Sequence, residues 1–419
     1  MRVLLTEGSG LTSRQVAGRL WAMGHHVGTL SCDGLGLTRL TRACRSWHRV
    51  PQFGADPLGW LDAALDIAVE HGYEVLFPTQ EPLTVLAAFP SRLASARVAT
   101  AVPSFSSLLG VQDKLAAHAT LSRLGLPQPE TVIVEEPRQA AAWNRFPIYL
   151  KTPVGTATSG VYHVADRDAV GALLRSGALD EGFADGGVLA QAPVEGPIVM
   201  AQTVFDRGRL VAFHANLRTR LGVRGGASHK RSVEEPDGRR IMEQLGRSLA
   251  WHSALSADLV LTPAGPLVID INPRLVEPGN AYRSGTDLSR SLLDLAIGSS
   301  VPALPAGQPD VATHQLLLAM VGAAEQGRGR LGATRELLDG LLGRGTYRGS
   351  AEELTPGRHD LRTIAPVAMA AIALAVRPAS WQWFSSGSVA NYALTPTAWR
   401  TIRQHAERVS ASTRTPGLW

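Results

Sequence analysis

Lysine is nearly missing from this chain of 419 residues: among 41 basic side chains only Lys114, Lys151 and Lys230 are lysines. The arginines that make up the rest, with a net charge of +5, read as a solvated surface. No basic helix interleaved with aromatics argues for nucleic acid. Cysteine is equally scarce. Cys32 and Cys44 fit neither a zinc nor a disulfide framework, which leaves buried or free thiols and a reducing compartment, the cytoplasm. No basic-plus-apolar leader opens the chain, because the stretch from Met1 to Glu7 turns polar at once. The run Ile364–Val376 falls short of the roughly 20 apolar residues that cross a bilayer. It reads as a buried helix, so no membrane contact is expected. The alternative is an interfacial anchor helped by Arg377, Trp381, Trp383 and Phe384.

Two nucleotide motifs are also incomplete. Gly8-Ser9-Gly10 follows the first apolar run, but Ser13 stands where G-x-G-x-x-G needs glycine. Gly155 and Gly160 have the spacing of a Walker loop, but Val161 stands where that loop needs lysine. What is present is 45% hydrophobic and 18% charged residues, the balance of a globular chain with two or three domains. Up to about residue 105, apolar runs at 2–6, 24–30 and 74–78 alternate with helical spacing at 12–23, 61–71 and 83–89. That order argues for a parallel, doubly wound α/β sheet. Gln80 and Glu81 fall just past the carboxyl end of the third run, where such sheets bind ligands. They read equally well as a helix-start pair.

The most informative stretch is Asp258 to Arg274. Two apolar runs flank Thr262-Pro263-Ala264-Gly265-Pro266, which predicts a β-hairpin. A turn centred near Ala264 sets Asp258 opposite Asp270, with Asn272 two residues further along the same face. Facing acids about 5 Å apart at Cβ repel, and a hard cation such as Mg²⁺, held by carboxylate and amide oxygens, reverses that. Arg274 beside them suits a phosphoryl group. Ammonium groups are compact point charges that also suit phosphate oxygens, so the three lysines are candidates for the same task.

Asp258 with Asp270-Ile271-Asn272-Pro273-Arg274 resembles the metal-binding signature of the ATP-grasp superfamily. The resemblance extends over residues 1 to about 298. Gln112-Asp113-Lys114, leading into Leu124-Gly125-Leu126-Pro127, is similar to the entry of that fold, where the lysine meets phosphates. Lys151 at a strand end and the loop Gly155–Gly160, including Ser159, resemble its phosphate lid. The stretch from Val188 to Gly196, with Gln191 and Val194, resembles the hinge strand facing adenine. Many members carry a glutamate where Ala192 stands and a ribose-binding acid where Val199 stands, which leaves the ribose contact open. The segment from Gly225 to Glu234, with Lys230 and Arg231, is similar to an anion-binding loop of carboxylate ligases. Glu277, Asn280 and Arg283 are candidate substrate contacts, or a plain turn at Gly279-Asn280.

The resemblance implies an α/β (α+β ATP-grasp core) fold: a Rossmann-like domain over 1–105, an ATP-grasp domain over 106–300 with its lid at about 146–190, and a mainly helical extension over 301–419. It implies a cytoplasmic ligase using ATP and Mg²⁺ to couple a small-molecule carboxylate to an amine. Asp258, Asp270 and Asn272 would hold metal. Arg274, Lys151 and Arg231 would be catalytic, and Lys114, Lys151, Gly155, Ser159, Gly160, Gln191, Val194 and Lys230 would hold nucleotide. Bicarbonate as the carboxylate and a non-catalytic nucleotide sensor are the other readings. Self-association as a homodimer stays open.

Overall fold

The apolar runs near the start of the chain are buried on both faces, which is the pattern of parallel strands. In the computed structural model, which describes residues 1–34, 36–357 and 360–414, they form β1 (Arg2–Leu5), β2 (His26–Ser31) and β4 (Val75–Phe77). β3 (Cys44–Arg49) completes a parallel sheet in the order β3-β2-β1-β4. The sequence reading passed over β3. It is an edge strand of charged and polar residues, which edges tolerate and which carries no apolar alternation.

A second sheet, in the order β5-β8-β6-β7, is antiparallel and is built from β5 (Thr131–Val134), β6 (Ile148–Lys151), β7 (Val161–Val164) and β8 (Val188–Gln191). It forms the lid. The third sheet holds β9 (Ile198–Asp206), β10 (Arg209–Leu221), β11 (Ala227–Ser232), β12 (Ser253–Thr262), β13 (Gly265–Asn272), β14 (Ala312–His314) and β15 (Ala351–Glu352). Its order is β13-β12-β9-β10-β11-β14-β15. One face carries Val199, Ala201, Phe213, Ala215, Leu255 and Ala257 into a core shared with the helix Pro236–Ser248. The other face carries the polar site.

Residues beyond 300 are helical for the most part but do not stand apart. β14 and β15 extend the central sheet. The helices Leu316–Glu325, Gly329–Leu342 and Ile364–Val376 pack together beside it. The closing helix Pro396–Arg414 returns to the first domain. There Leu394, Ala398, Trp399, Ile402 and Ala406 join Phe53, Trp60 and Leu61 in one core.

Candidate functional site

The hairpin β12–β13 turns on two residues, Pro263 and Ala264, so Thr262 pairs with Gly265 and Leu259 with Val268. That register alone would oppose Asp258 to Ile269 and send Asp270 to the apolar face. A β-bulge between Asp258 and Leu259 inserts Ile269 and restores Asp258 opposite Asp270, and Ser256 opposite Asn272. The expected pairing is therefore present for a different reason: the turn is tighter than expected and the bulge compensates. Burial and the neighbouring Asp270 push the Asp258 carboxyl up to about 7, while Arg218, Arg274 and Lys151 pull it down.

The bulge has a second effect. It leaves the Ile269 carbonyl outside the ladder, where it accepts a 2.9 Å hydrogen bond from Lys151 Nζ. The same ammonium donates to Gln191 Oε1 at 2.7 Å, and Gln191 Nε2 donates to Thr131 Oγ1. Lys151 is thus fixed between the lid and the hairpin. Burial lowers its pKa, Asp270 and Asp258 raise it, and the nearby Lys114 lowers it. Lys114 opens the helix Lys114–Arg123 behind its cap Asp113, and its own amide donates to Pro153 O. Val194 lies half-buried in the connection from β8 to β9.

The lid loop needs its glycines. A Cβ on Gly155 would strike the Ser159 carbonyl, and one on Gly160 would strike Thr152 Oγ1. Ala157, Thr158 and Gly160 all have positive φ, at 52°, 67° and 75°. Such strain in non-glycine residues is kept where a site needs it. Among the described residues the exposed amides of Ala157 and Thr158 make no main-chain hydrogen bond, so they remain as anion donors. Ser159 is exposed at the loop's end. Thr156 Oγ1 reaches Glu81 at 3.4 Å.

Glu81 links three parts of the molecule. It also accepts from Arg274 Nε at 3.1 Å, so the first domain, the Gly155–Gly160 loop and the end of the β12–β13 hairpin meet on one carboxylate. Gln80 and Glu81 are both buried, and Gln80 Oε1 has no hydrogen-bond partner among the described residues. Two further residues join this wall. Glu7, past the end of β1, accepts from the amides of Ser9 and Gly10, and Tyr392 is buried against Gly10 and close to Arg274. The position of Glu7 at a strand's carboxyl end was a usable signal. Tyr392 lies far away in sequence and offered none. Arg218 was missed as well; it shares the face of Asp258 and donates to Gly225 O at 2.6 Å.

Several expectations need correction. Lys230 does not face an open phosphate site. It is 2% exposed, donates to Glu277 at 2.6 Å and Glu353 at 3.0 Å, and the two carboxylates hold it charged against the cost of burial. Arg231 points the other way, because strand side chains alternate. It is 53% exposed on the opposite face from Asp258, 3.7 Å from Asp310, and cannot reach the hairpin acids. Val199 is fully buried in the apolar core, so it is no ribose position. Ser228 Oγ and the amides of Gly222 and Gly226 are bonded to their own loop. Asn280 is buried and bonded to His214, Val311 O and Thr313. That makes it structural, and Arg283 is exposed beyond it.

Two carboxylates and one amide oxygen on adjacent strands form a hard, oxygen-only donor set of the kind that fits Mg²⁺. Among the described residues no group of three or more His, Cys, Asp or Glu side chains converges as a metal site, at the hairpin or elsewhere.

No protein-family model matches the chain, and no curated protein sequence does. Solved structures do match in fold. Biotin carboxylase from Campylobacter jejuni, in a βγ-ATP complex, aligns at TM-score 0.60 and 16% identity, over 74% of each chain. The biotin carboxylase domain of Hydrogenobacter thermophilus 2-oxoglutarate carboxylase, with MgADP, ADP and bicarbonate, aligns at 0.59 and 15%, over 75% of this chain and 74% of that one. N5-carboxyaminoimidazole ribonucleotide synthetase from Thermus thermophilus aligns at 0.56 and 17%, over 74% and 81%. All three are ATP-grasp enzymes.

Proposed function

Because the chain has the ATP-grasp fold, we propose that it is a Mg²⁺-dependent, ADP-forming ligase that activates a carboxylate as an acyl phosphate and couples it to an amine. The observation that carries this reading is the bulged hairpin, which sets Asp258, Asp270 and Asn272 on one face with Lys151 and Arg274 beside them. The structures with bound MgADP and bicarbonate support it by analogy of fold.

Mg²⁺ bound to Asp258, Asp270 and Asn272 would neutralise charge on the transferred phosphoryl group. The chain's own residues do the positioning. The Gly155–Gly160 loop would offer its open amides to the phosphates, and Lys151 and Lys114 would place positive charge beside them. Gln191 and Val194 lie on the connection that would face the base. Arg274, held by Glu81, orients the carboxylate oxygen for in-line attack on the γ-phosphorus, and ADP departs. The amine then attacks the acyl carbon and expels phosphate. Glu277 has its amide bonded to Thr12 and its carboxylate to Lys230.

The test is turnover with a panel of carboxylic acids and amines. An ¹⁸O-labelled acid should place one label in the released phosphate, because the oxygen that attacked phosphorus leaves with it. AMP as product, or label confined to the amide, overturns the proposal. Bicarbonate is the second reading, favoured by the bicarbonate in the Hydrogenobacter complex. ADP formation with bicarbonate alone separates the two.

A further inference from the structure

The helix Ile364–Val376 contains no charged residue, and a helix apolar on all sides is normally covered on all sides. Here only Pro366, Val367, Ala370 and Leu374 are buried. The outer side shows Ile364, Ala368, Ile372 (68% exposed) and Val376 (71%), spaced four residues apart, with Met369 beside them. The neighbouring helix Gly329–Leu342 repeats the pattern with Leu331 (85%), Leu338, Leu341 and Leu342 exposed. Arg330 Nη2 donates to Val376 O and ties the start of one helix to the end of the other, so the two stripes run side by side. The next helix, Trp381–Ala390, adds Trp383 at 59% exposure.

Charge says what covers this face. Arg330, Arg344, Arg362 and Arg377 rim it, all exposed, and none forms an ion pair among the described residues. From residue 361 to 390 there is no acidic residue at all. A second copy of the chain would set these arginines against their own counterparts, because a two-fold interface apposes the same patch. An anionic lipid surface complements them. The stripe, about 20 Å long by helix rise, is too short to cross a bilayer and fits the interface between headgroups and acyl chains. We propose that the helices Gly329–Leu342 and Ile364–Val376 form a docking face for an anionic membrane surface, entered by Ile364, Met369, Ile372 and Val376 and framed by the arginine rim.

The test is co-sedimentation of the full chain with phosphatidylglycerol/phosphatidylcholine vesicles and with phosphatidylcholine vesicles alone. The mixed vesicles should bind at least tenfold more strongly, and M369S/I372S should abolish binding. R362Q/R377Q should weaken it and flatten its salt dependence. All four positions are exposed, so matching circular dichroism and melting curves show that the fold is kept. Absence of binding to anionic vesicles overturns the proposal. So does binding that M369S/I372S leaves unchanged, or a wild-type dimer in sedimentation velocity that M369S/I372S turns into monomer, which would make the second copy the occupant.

Discussion

Val199 shows how a single position can mislead. The resemblance places it where many members carry a ribose-binding acid, which would tighten nucleotide binding. Its side chain instead fills the core beside Ala201 and Leu217. Val199→Glu should bury an unpaired carboxylate, lower stability by about 3 kcal/mol or more, and leave no gain in ATP affinity. Urea unfolding and nucleotide titration of the same variant check both parts. Asp258 makes the opposite case. Its folded-state pKa is raised from 3.8 to about 7, so the protonated carboxyl is favoured by folding. Without Mg²⁺, its contribution to stability is present below about pH 4 and is lost as pH rises through 7. Asp258→Asn should therefore be more stable than wild type near pH 8, by about 2 kcal/mol after screening, and nearly equal near pH 4. Added Mg²⁺ should stabilise only the wild type. His214 titrates in the other sense. Burial lowers its pKa to about 4, so stability held above pH 6.5 falls away as pH drops toward 4. His214→Gln should flatten the unfolding midpoint over that window.

Among the elements, the bulge at Ile269 decides the site. Deleting Ile269 restores a plain ladder in which Asp270 still faces Asp258, but it withdraws the carbonyl that holds Lys151. The deletion should lower Mg²⁺-dependent ADP formation, through the freed Lys151, and keep the Mg²⁺-induced rise in melting temperature. No propensity scale reports such a bulge, because it is a compromise between a two-residue turn and the pairing that β9 imposes on β12. The lid presents a similar dependence. Its helix Asp180–Ala184 and Asp185 are held by Arg400 of the closing helix, at 3.7 Å to Glu181 and 3.0 Å to Asp185. Arg400→Ala should raise amide exchange in residues 177–187 while leaving the unfolding midpoint within about 0.5 kcal/mol of wild type. Unchanged exchange would mean that the lid is held by its own packing.

For the whole molecule, the extension proves inseparable from the rest. β14 and β15 complete the central sheet, Glu353 neutralises Lys230, and Trp399 and Ile402 fill the core under the first sheet. A fragment ending at residue 300 should show no cooperative melting transition, whereas a free-standing extension would leave it folded. The sequence by itself determined a good deal: a parallel first domain from continuous apolar runs, the lid lysine with its glycine loop, and the paired acids of the hairpin. Each is a local pattern, where strand period, turn chemistry and residue type act within twenty residues or so. Only the tertiary structure decided that Lys230 is neutralised, that Arg231 and Val199 face away from the acids, that Tyr392 and Arg218 join the site, and that one side of Ile364–Val376 stays open. Those outcomes depend on contacts between residues up to hundreds of positions apart and on one inserted residue in a ladder. Alternation along a strand turns such a one-residue shift into a change of face.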